Sequence, residues 1–242
     1  MRYGAIVMLA AGALLSACSS GNDDSPGVAP TGSGPTRSYA VDGFSQIDLT
    51  GSDDVDVRAG TGFSVRAEGP ADQLDRLRIA MDGDTLEIGR KRNSFEFGSH
   101  DKVKVYVTLP RLTKATVAGS GTMAVDRIEG HSFGADIAGS GDLNIAALAT
   151  DAAEVSIAGS GNMRAGGAVK VLEASIAGSG SVDAAGLRAE RAKVSIAGSG
   201  DVRATVTGAA EVELMGSGDV NLGAQATCKV SKMGSGSVRC GR

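Results

Sequence analysis

Apolar and polar residues alternate on both sides of a short glycine-serine-glycine phrase that recurs seven times between Ala115 and the C-terminus. The longer form SIAGSG begins at Ser156, Ser175 and Ser195, and close variants surround the other copies. Successive phrases are 18 to 20 residues apart, and their first glycines are Gly119, Gly139, Gly159, Gly178, Gly198, Gly216 and Gly234. Alternation of period two before and after each phrase predicts a strand, a corner and a second strand.

Apolar positions also line up when these corners are aligned. The row four residues before the second glycine is Val117, Ile137, Ile157, Ile176, Ile196 and Leu214, and the row two residues after it is Met123, Leu143, Met163, Val182, Val202, Val220 and Val238. A unit of this length cannot bury its apolar face alone, so the units must stack. Glycine at the corner tolerates a positive φ and the close approach of stacked backbones. The pattern therefore predicts an all-β fold, a parallel β-helix or β-solenoid of about seven coils of 18–20 residues over 115–242.

Residues 39–114 alternate without repeating, which predicts a β-rich N-terminal portion. Short strands are expected at Ile47–Leu49, Val55–Val57, Phe63–Ala67 and Val103–Leu109, with one or two helical turns over 70–77 and a hairpin around Asp82-Gly83. Residues 39–242 are expected to form one continuous domain.

The first residues resemble a bacterial lipoprotein signal. An apolar run within 1–17 ends in Leu15-Ser16-Ala17, directly before Cys18, and is too short to span a bilayer as a helix. In that pattern the chain is cut before Cys18, which then carries the lipid; the alternative is an ordinary secretory signal with Cys18 incidental. Ser19 favours the outer membrane, on its periplasmic or outer side. Residues 18–38 are rich in Gly, Ser and Pro, which predicts a flexible tether.

Charge and composition narrow the partners. The 242-residue chain has a formal net charge of −4, so we expect no nucleic-acid partner, which would need a basic surface. Aromatic residues make up only 3% of the chain, which argues against strong stacking on sugar rings.

From Phe44 to the C-terminus the chain resembles the bacterial "putative auto-transporter adhesin, head GIN domain" family. The similarity rests on Phe44–Leu49 as the opening strand, Asp82–Ile88 as the hairpin, Leu109-Pro-Arg-Leu112 before the first corner, and the corners themselves. The resemblance implies a secreted or surface-attached right-handed β-helix with an adhesin-like role. It supplies no catalytic residues.

Two polar ladders are candidates for chemistry. The corner serines could bind a glycan, although we expect each hydroxyl to bond a backbone group at its own corner; they are Ser120, Ser140, Ser160, Ser179, Ser199, Ser217 and Ser235. The position after each corner carries Asp142, Asn162, Asp201 and Asp219, and Thr122, Ser181 and Ser237 interrupt these residues. The acids are expected to cap the turns, and the alternative is a calcium site. We expect no metal, cofactor or catalytic residue.

Cys228 and Cys240 remain after Cys18 is assigned to the lipid. Both are an even number of residues from Gly234, which places them on one strand face and favours a disulfide that closes the last coil. Such a bond would contribute roughly 3 kcal/mol. The alternative is a pair of buried reduced thiols.

These features predict a lipid-anchored cell-envelope protein with a structural or adhesin-like, non-catalytic role. Its partner would be a surface polymer, a glycan or a protein, and its oligomeric state stays open. The alternative is a polysaccharide-binding or polysaccharide-active envelope enzyme, in which Asp201 and Asp219 would be the paired acids.

Overall fold

A computed structural model describes residues 27–91 and 102–241. One short helix, α1, spans Ala71–Arg76. Seventeen strands form one sheet. They are β1 Thr36–Tyr39, β2 Gln46–Gly51, β3 Asp54–Ala59, β4 Ser64–Glu68, β5 Leu77–Asp82, β6 Thr85–Arg90, β7 Lys104–Leu109, β8 Lys114–Gly119, β9 Thr122–Gly139, β10 Asp142–Gly159, β11 Asn162–Gly178, β12 Ser181–Gly198, β13 Asp201–Val206, β14 Ala209–Gly216, β15 Asp219–Asn221, β16 Thr227–Met233 and β17 Ser237–Arg239.

The repeat forms a parallel β-solenoid of about six turns, slightly fewer than the seven coils expected. Strands β9 to β12 each run through almost a whole coil and pair in parallel with the next, so that Gly139 lies beside Gly159 and Gly178 beside Gly198.

The predicted apolar rows form the core. The side chains of Val117 to Leu214 and of Met123 to Val220 in these two rows are at most 1% exposed, and Val238 is partly buried at the last rung. Phe133 fits the same interior at 2% exposure. The interior is therefore a narrow column of aliphatic side chains, as the period-two pattern predicted.

An eighth corner, at Gly51, begins the solenoid earlier than the repeat indicated. Gly51 pairs with Gly119 and has φ of 119°, like the later corners. Strands β2 and β3 pair in parallel with β8 and β9, so they already form the first rung. The sequence pattern missed this corner because Asp53 replaces the second glycine and a long insertion separates it from Gly119.

The N-terminal end of the column is closed by β6 and β7, which pair in parallel with β2 and β3, and by antiparallel strands outside them. Strands β5 and β6 form the predicted hairpin. Strand β6 pairs in parallel with β2, so β5 lies on the outer side. On the other wall β4 pairs antiparallel with both β7 and β1. The predicted helical turn is α1, and β7 ends before Pro110. Phe63 lies just outside β4 and is 38% exposed, with its ring centroid 5.0 Å from that of Phe44.

A buried ion pair ties the first corner to this cap. The Asp53 side chain is 1% exposed and forms a salt bridge with Arg90, whose Nε donates to Oδ2 at 2.6 Å. Asp53 Oδ1 also accepts the Val103 backbone N–H at 3.0 Å. Arg90 Nη1 donates to the backbone and side-chain oxygens of Gln73, both at 3.1 Å. We call Asp53, Arg90 and Gln73 the N-terminal clasp, because they join the first corner, β6 and α1.

The predicted signal peptide, Cys18 and the first part of the tether lie outside the described residues. The last part of the predicted tether contacts the domain, since the Val28 N–H donates to the Ile79 carbonyl at 2.7 Å and Thr31 bridges to Ser38. Most of the segment between Arg90 and Val103 also lies outside the described ranges. Within residues 27–91 and 102–241, no helix is long and apolar enough to cross a membrane.

Candidate functional site

The corner serines are tied to the column through their backbone. The N–H of Ser140 donates to the Gly119 carbonyl at 2.8 Å, and that of Ser160 to the Gly139 carbonyl at 2.7 Å, a pattern that continues to Ser217. The expected bonds from serine hydroxyls to the backbone are not what holds these corners. The hydroxyls face solvent, and those of Ser217 and Ser235 lie 3.3 Å apart.

The position after each corner forms a hydrogen-bonded ladder along the column. The Asn162 side-chain amide donates to Asp142 Oδ1 at 3.0 Å, and the Ser181 hydroxyl donates to Asn162 Oδ1 at 2.7 Å. Over the coils of Asp142, Asn162 and Ser181, a donor thus follows each acceptor. The Asp142 carboxylate therefore has an amide donor from the next coil, without a bound cation.

Asp201 and Asp219 replace a backbone acceptor in the last corners. In earlier coils the residue after the corner donates its N–H to the second glycine of the preceding corner, as Asp142 does to the Gly121 carbonyl at 3.0 Å. Near the C-terminal end, the Asp219 N–H donates to Asp201 Oδ1 at 2.9 Å. The Ser237 N–H and hydroxyl donate to Asp219 Oδ1 at 3.0 and 2.6 Å. The two acids suggested for an enzyme therefore have a structural role as acceptors.

No cluster of three or more His, Cys, Asp or Glu side chains suited to a metal ion occurs in the part of the chain that the structure describes. The next coil supplies a hydrogen-bond donor to each acid of the ladder. Asp142 accepts from the Asn162 amide, Asp201 from the Asp219 N–H, and Asp219 from the Ser237 N–H and hydroxyl.

The Asp219 contacts predict an acid-dependent loss of stability. Hydrogen bonds from Ser237 lower the pKa of Asp219. A lowered folded-state pKa stabilises the fold fully above the unfolded carboxyl pKa, about 3.9, and this contribution is lost as pH falls through the lower folded value. The Tm difference between wild type and D219N should be largest at neutral pH and shrink below about pH 4.

Thermal melts across this pH range test the sign. S237A keeps the carboxylate but removes one donor, so its acid sensitivity should lie between those of wild type and D219N. A Tm difference that grows as the pH falls would contradict this assignment.

The outward side chains of the wall after the corners form the surface that we call the polar face. Its first ladder runs from Asp54 through Thr122 and the row containing Asp142 and Asp219 to Ser237. Its second ladder, two residues further along each strand, is Asp56, Ala124, Asn144, Arg164, Asp183, Arg203, Asn221 and Arg239. Both ladders keep one register across the whole column, so the polar groups recur at the strand spacing of about 4.8 Å.

A shallow depression of about 610 Å³ lies where the polar face turns into the next wall. Its polar rim consists of Asp56, Arg58, Asp126, Asn144 and Arg164, and its small floor includes Ala124 and Ala146. Ala124 sits in register between Asp56 and Asn144, and its short side chain leaves the space.

The depression combines occupied and available polar groups. Arg58 pairs with Asp56 at 3.2 Å, and Asp126 Oδ1 accepts the Ala59 N–H at 2.9 Å. Among the described residues, neither the Asn144 amide nor the Arg164 guanidinium has a side-chain hydrogen-bond partner. An amide and a guanidinium together can bind hydroxyl or carboxylate oxygens.

Charges on the other two walls are more often paired. Lys114 binds Asp136 at 2.8 Å, and Lys193 lies 3.3 Å from Glu173. Asp151 contacts Lys170 at 2.7 Å and His131 at 3.0 Å, and these contacts lower the pKa of Asp151. Exposed pairs of this kind contribute little stability.

A second, smaller cleft of about 360 Å³ lies between the end of β7 and the side of β9. Its lining includes Leu109, Arg111, Leu112, Arg127 and Glu129. Arg127 is already within 3.4 Å of Glu129, and the leucines are at most 4% exposed. The cleft therefore offers little apolar surface, one ion pair and the Arg111 guanidinium.

The predicted disulfide joins Cys228 to Cys240, with the Cα atoms 6.0 Å apart. Cys228 continues the inward row of Ala210, and Cys240 lies two residues after the inward Val238. The bond therefore crosses the interior of the last coil and links its two walls.

Sequence and structural comparisons agree with this architecture. The profile of the family described as "Putative auto-transporter adhesin, head GIN domain" matches residues 43–240, and the chain belongs to this family. The family is adhesin-like, which fits a cell-envelope or surface location and a role other than catalysis. Comparison with the curated proteins found no significant match.

Several solved structures share the fold. A putative adhesin from Bacteroides fragilis NCTC 9343 is 22% identical, with a TM-score of 0.76 over 85% of this chain and 95% of that one. A putative lipid binding protein from Parabacteroides distasonis ATCC 8503 is 24% identical, with a TM-score of 0.67 over 86% and 97%. A putative adhesin from Parabacteroides merdae ATCC 43184 is 18% identical, with a TM-score of 0.69 over 86% and 95%.

Proposed function

We propose that this chain is a lipid-anchored envelope protein whose solenoid serves as a non-catalytic, adhesin-like contact surface. The observation that carries the proposal is the polar face, a flat register of polar side chains that includes the unpartnered Asn144 and Arg164. Cys18, in its lipobox-like setting, would carry the lipid.

The proposed mode of binding is extended contact rather than enclosure. The core rows are filled, and the 610 Å³ depression is open and shallow. A polymer laid along the column would meet equivalent strand positions at each rung, about 4.8 Å apart. Weak hydrogen bonds repeated along such a surface add through effective concentration. A surface polymer that carries hydroxyl or carboxylate groups could form such hydrogen bonds with Asn144 and Arg164.

The enzyme alternative has weaker support. Asp201 Oδ1 and Asp219 Oδ1 accept backbone N–H groups of the next coil, which suits acceptors better than a proton-transferring pair. Binding of a polysaccharide without cleavage remains within the adhesin-like proposal.

The double variant N144A/R164A tests the polar face. We expect at least a tenfold loss of affinity for envelope polysaccharide or intact cells, because two unpaired hydrogen-bonding groups are removed without disturbing the buried rows. Surface plasmon resonance on the chain from Ser19 to Arg242, with an array of purified glycans and envelope proteins, measures this loss.

The matched control is E173A/K193A, which removes an exposed pair from another wall and should keep affinity within twofold. Equal losses in both variants, or release of reducing sugar ends by the wild type, would refute the proposal.

In the same cells, C18S should move the protein from the membrane to the soluble fraction. Protease treatment of intact cells then distinguishes the outer from the periplasmic face, and protection from protease would end the adhesin interpretation.

A further inference from the structure

The apolar row of Leu214 ends in a lysine. From Leu49 the row runs through Val117 and the isoleucines to Leu214, with each member in register with the next. At the last rung the position is Lys232, which pairs with Leu214. By register Lys232 occupies the inward row, but no coil covers it and the residue is exposed at the point where the core ends.

Lys232 also satisfies the last corner. Its Nζ donates to the Gly236 carbonyl at 2.8 Å. In the corners up to Gly180 the corresponding carbonyl accepts an N–H from the following coil, as Gly141 does from Asn162 at 3.1 Å. No further coil follows Gly236 in the described chain, so the ammonium group takes the place of the missing backbone donor.

The surroundings of Lys232 would otherwise favour strand addition. The register of β16 is with β14, and none of the other described strands pairs with its outer edge. Val230, at an inward position, is 45% exposed, and Met233 is 73% exposed. A long unpaired edge with exposed apolar residues is a template for another strand. The N-terminal end differs, because β6 and β7 already pair with the first rung.

We propose that Lys232 closes the C-terminal end of the solenoid against a second copy of this chain. A strand stacked on β16 at about 4.8 Å would bury the ammonium group and displace it from the Gly236 carbonyl. A buried charge without a partner is strongly unfavourable, so the edge is kept free by one residue. The disulfide closes the same rung covalently, and the chain functions as a single column with lateral surfaces available for binding.

Sedimentation velocity of the chain from Ser19 to Arg242 over a range of concentrations tests this inference. K232M keeps the length of the side chain but removes its charge and its hydrogen bond. We expect K232M to self-associate with a dissociation constant at least tenfold lower than that of wild type. K229M is the matched control, because Lys229 lies on the same strand with an 88% exposed side chain, and it should stay within twofold of wild type.

The second variant is K232L, which places at the last rung the residue that occupies the rung before it. It should associate at least as strongly as K232M, and circular dichroism should show both folded. Monomeric K232M and K232L, equal association of K229M, or self-association of wild type through this end would each overturn the inference. Loss of folding in both variants would also overturn it, because a residue that only blocks addition is not required for the fold.

Discussion

Replacing Gly159 with alanine is expected to destabilise the solenoid by more than about 4 kcal/mol, a cost reserved for severe core or backbone conflicts. Gly159 has φ of 126°, where an L side chain is strained. A Cβ atom there would also lie 2.4 Å from the carbonyl oxygen of Gly139 in the preceding coil. Relief of that contact would separate two stacked corners and break the hydrogen bond from Ser160 to Gly139.

Three further glycines separate the two causes. Gly51 has φ of 119° but nothing within 4 Å of its Cβ position, so G51A should cost only about 1–2 kcal/mol. At Gly161, φ is not in the strained region, but a Cβ would lie 2.5 Å from the Gly141 oxygen. Gly62 meets neither condition, and G62A should change stability by less than about 0.5 kcal/mol.

Urea denaturation followed by circular dichroism gives the free energies of unfolding for the four variants. The order of destabilisation should be Gly159, then Gly161, then Gly51, with Gly62 near wild type. If G51A were as damaging as G159A, backbone conformation alone would explain the corners, and close stacking would have no part.

The repeat was readable from sequence because stacking imposes the same requirement at every coil. A corner that lies on another corner needs glycine at both positions, and the inward residues keep their parity along each strand. The same parity correctly placed Cys228 and Cys240 on one face. At the first corner no earlier corner lies on the outer side, so glycine is not required at the position of Asp53. The phrase therefore differs there, and the repeat is not recognised in the sequence.

The candidate surface was less predictable. The sequence identified the ladder of Asp142 and Asp219 but not the second ladder, which depends on how the coils align laterally. The depression arises because Ala124 is short and lies between Asp56 and Asn144, which are distant in sequence. The hydroxyls of the corner serines were assigned backbone bonds that the serine N–H groups make instead, a distinction that depends on coil-to-coil geometry.

Removing the Asp53 side chain should be the most damaging change at the N-terminal cap. D53A leaves Arg90 without its buried carboxylate and the Val103 N–H without its acceptor. Loss of one partner of a buried ion pair costs about 3–5 kcal/mol. The 24% exposure of the Arg90 side chain places the expected loss near the lower end, about 3 kcal/mol. Urea denaturation measures it.

The neighbouring residue supplies the control. Asp54 forms an exposed pair with Lys102 at 2.9 Å, and D54A should cost less than about 1 kcal/mol. D53G would recreate the glycine-serine-glycine phrase, yet it should be at least as unstable as D53A, because it also removes the side chain and adds backbone freedom. Wild-type stability in D53G would mean that the phrase itself determines the first corner.

A double-mutant cycle with R90A assigns the loss to the clasp. The Asp53 carboxylate and the Arg90 guanidinium are expected to stabilise the cap mainly through each other. In that case the free energies of unfolding of D53A/R90A and D53A should agree within about 0.5 kcal/mol. Additive losses would instead assign the effect to the Val103 N–H and to Gln73 separately. The cycle thus distinguishes a coupled clasp from independent contacts at the end of the column where the repeat's own stacking is replaced by side-chain chemistry.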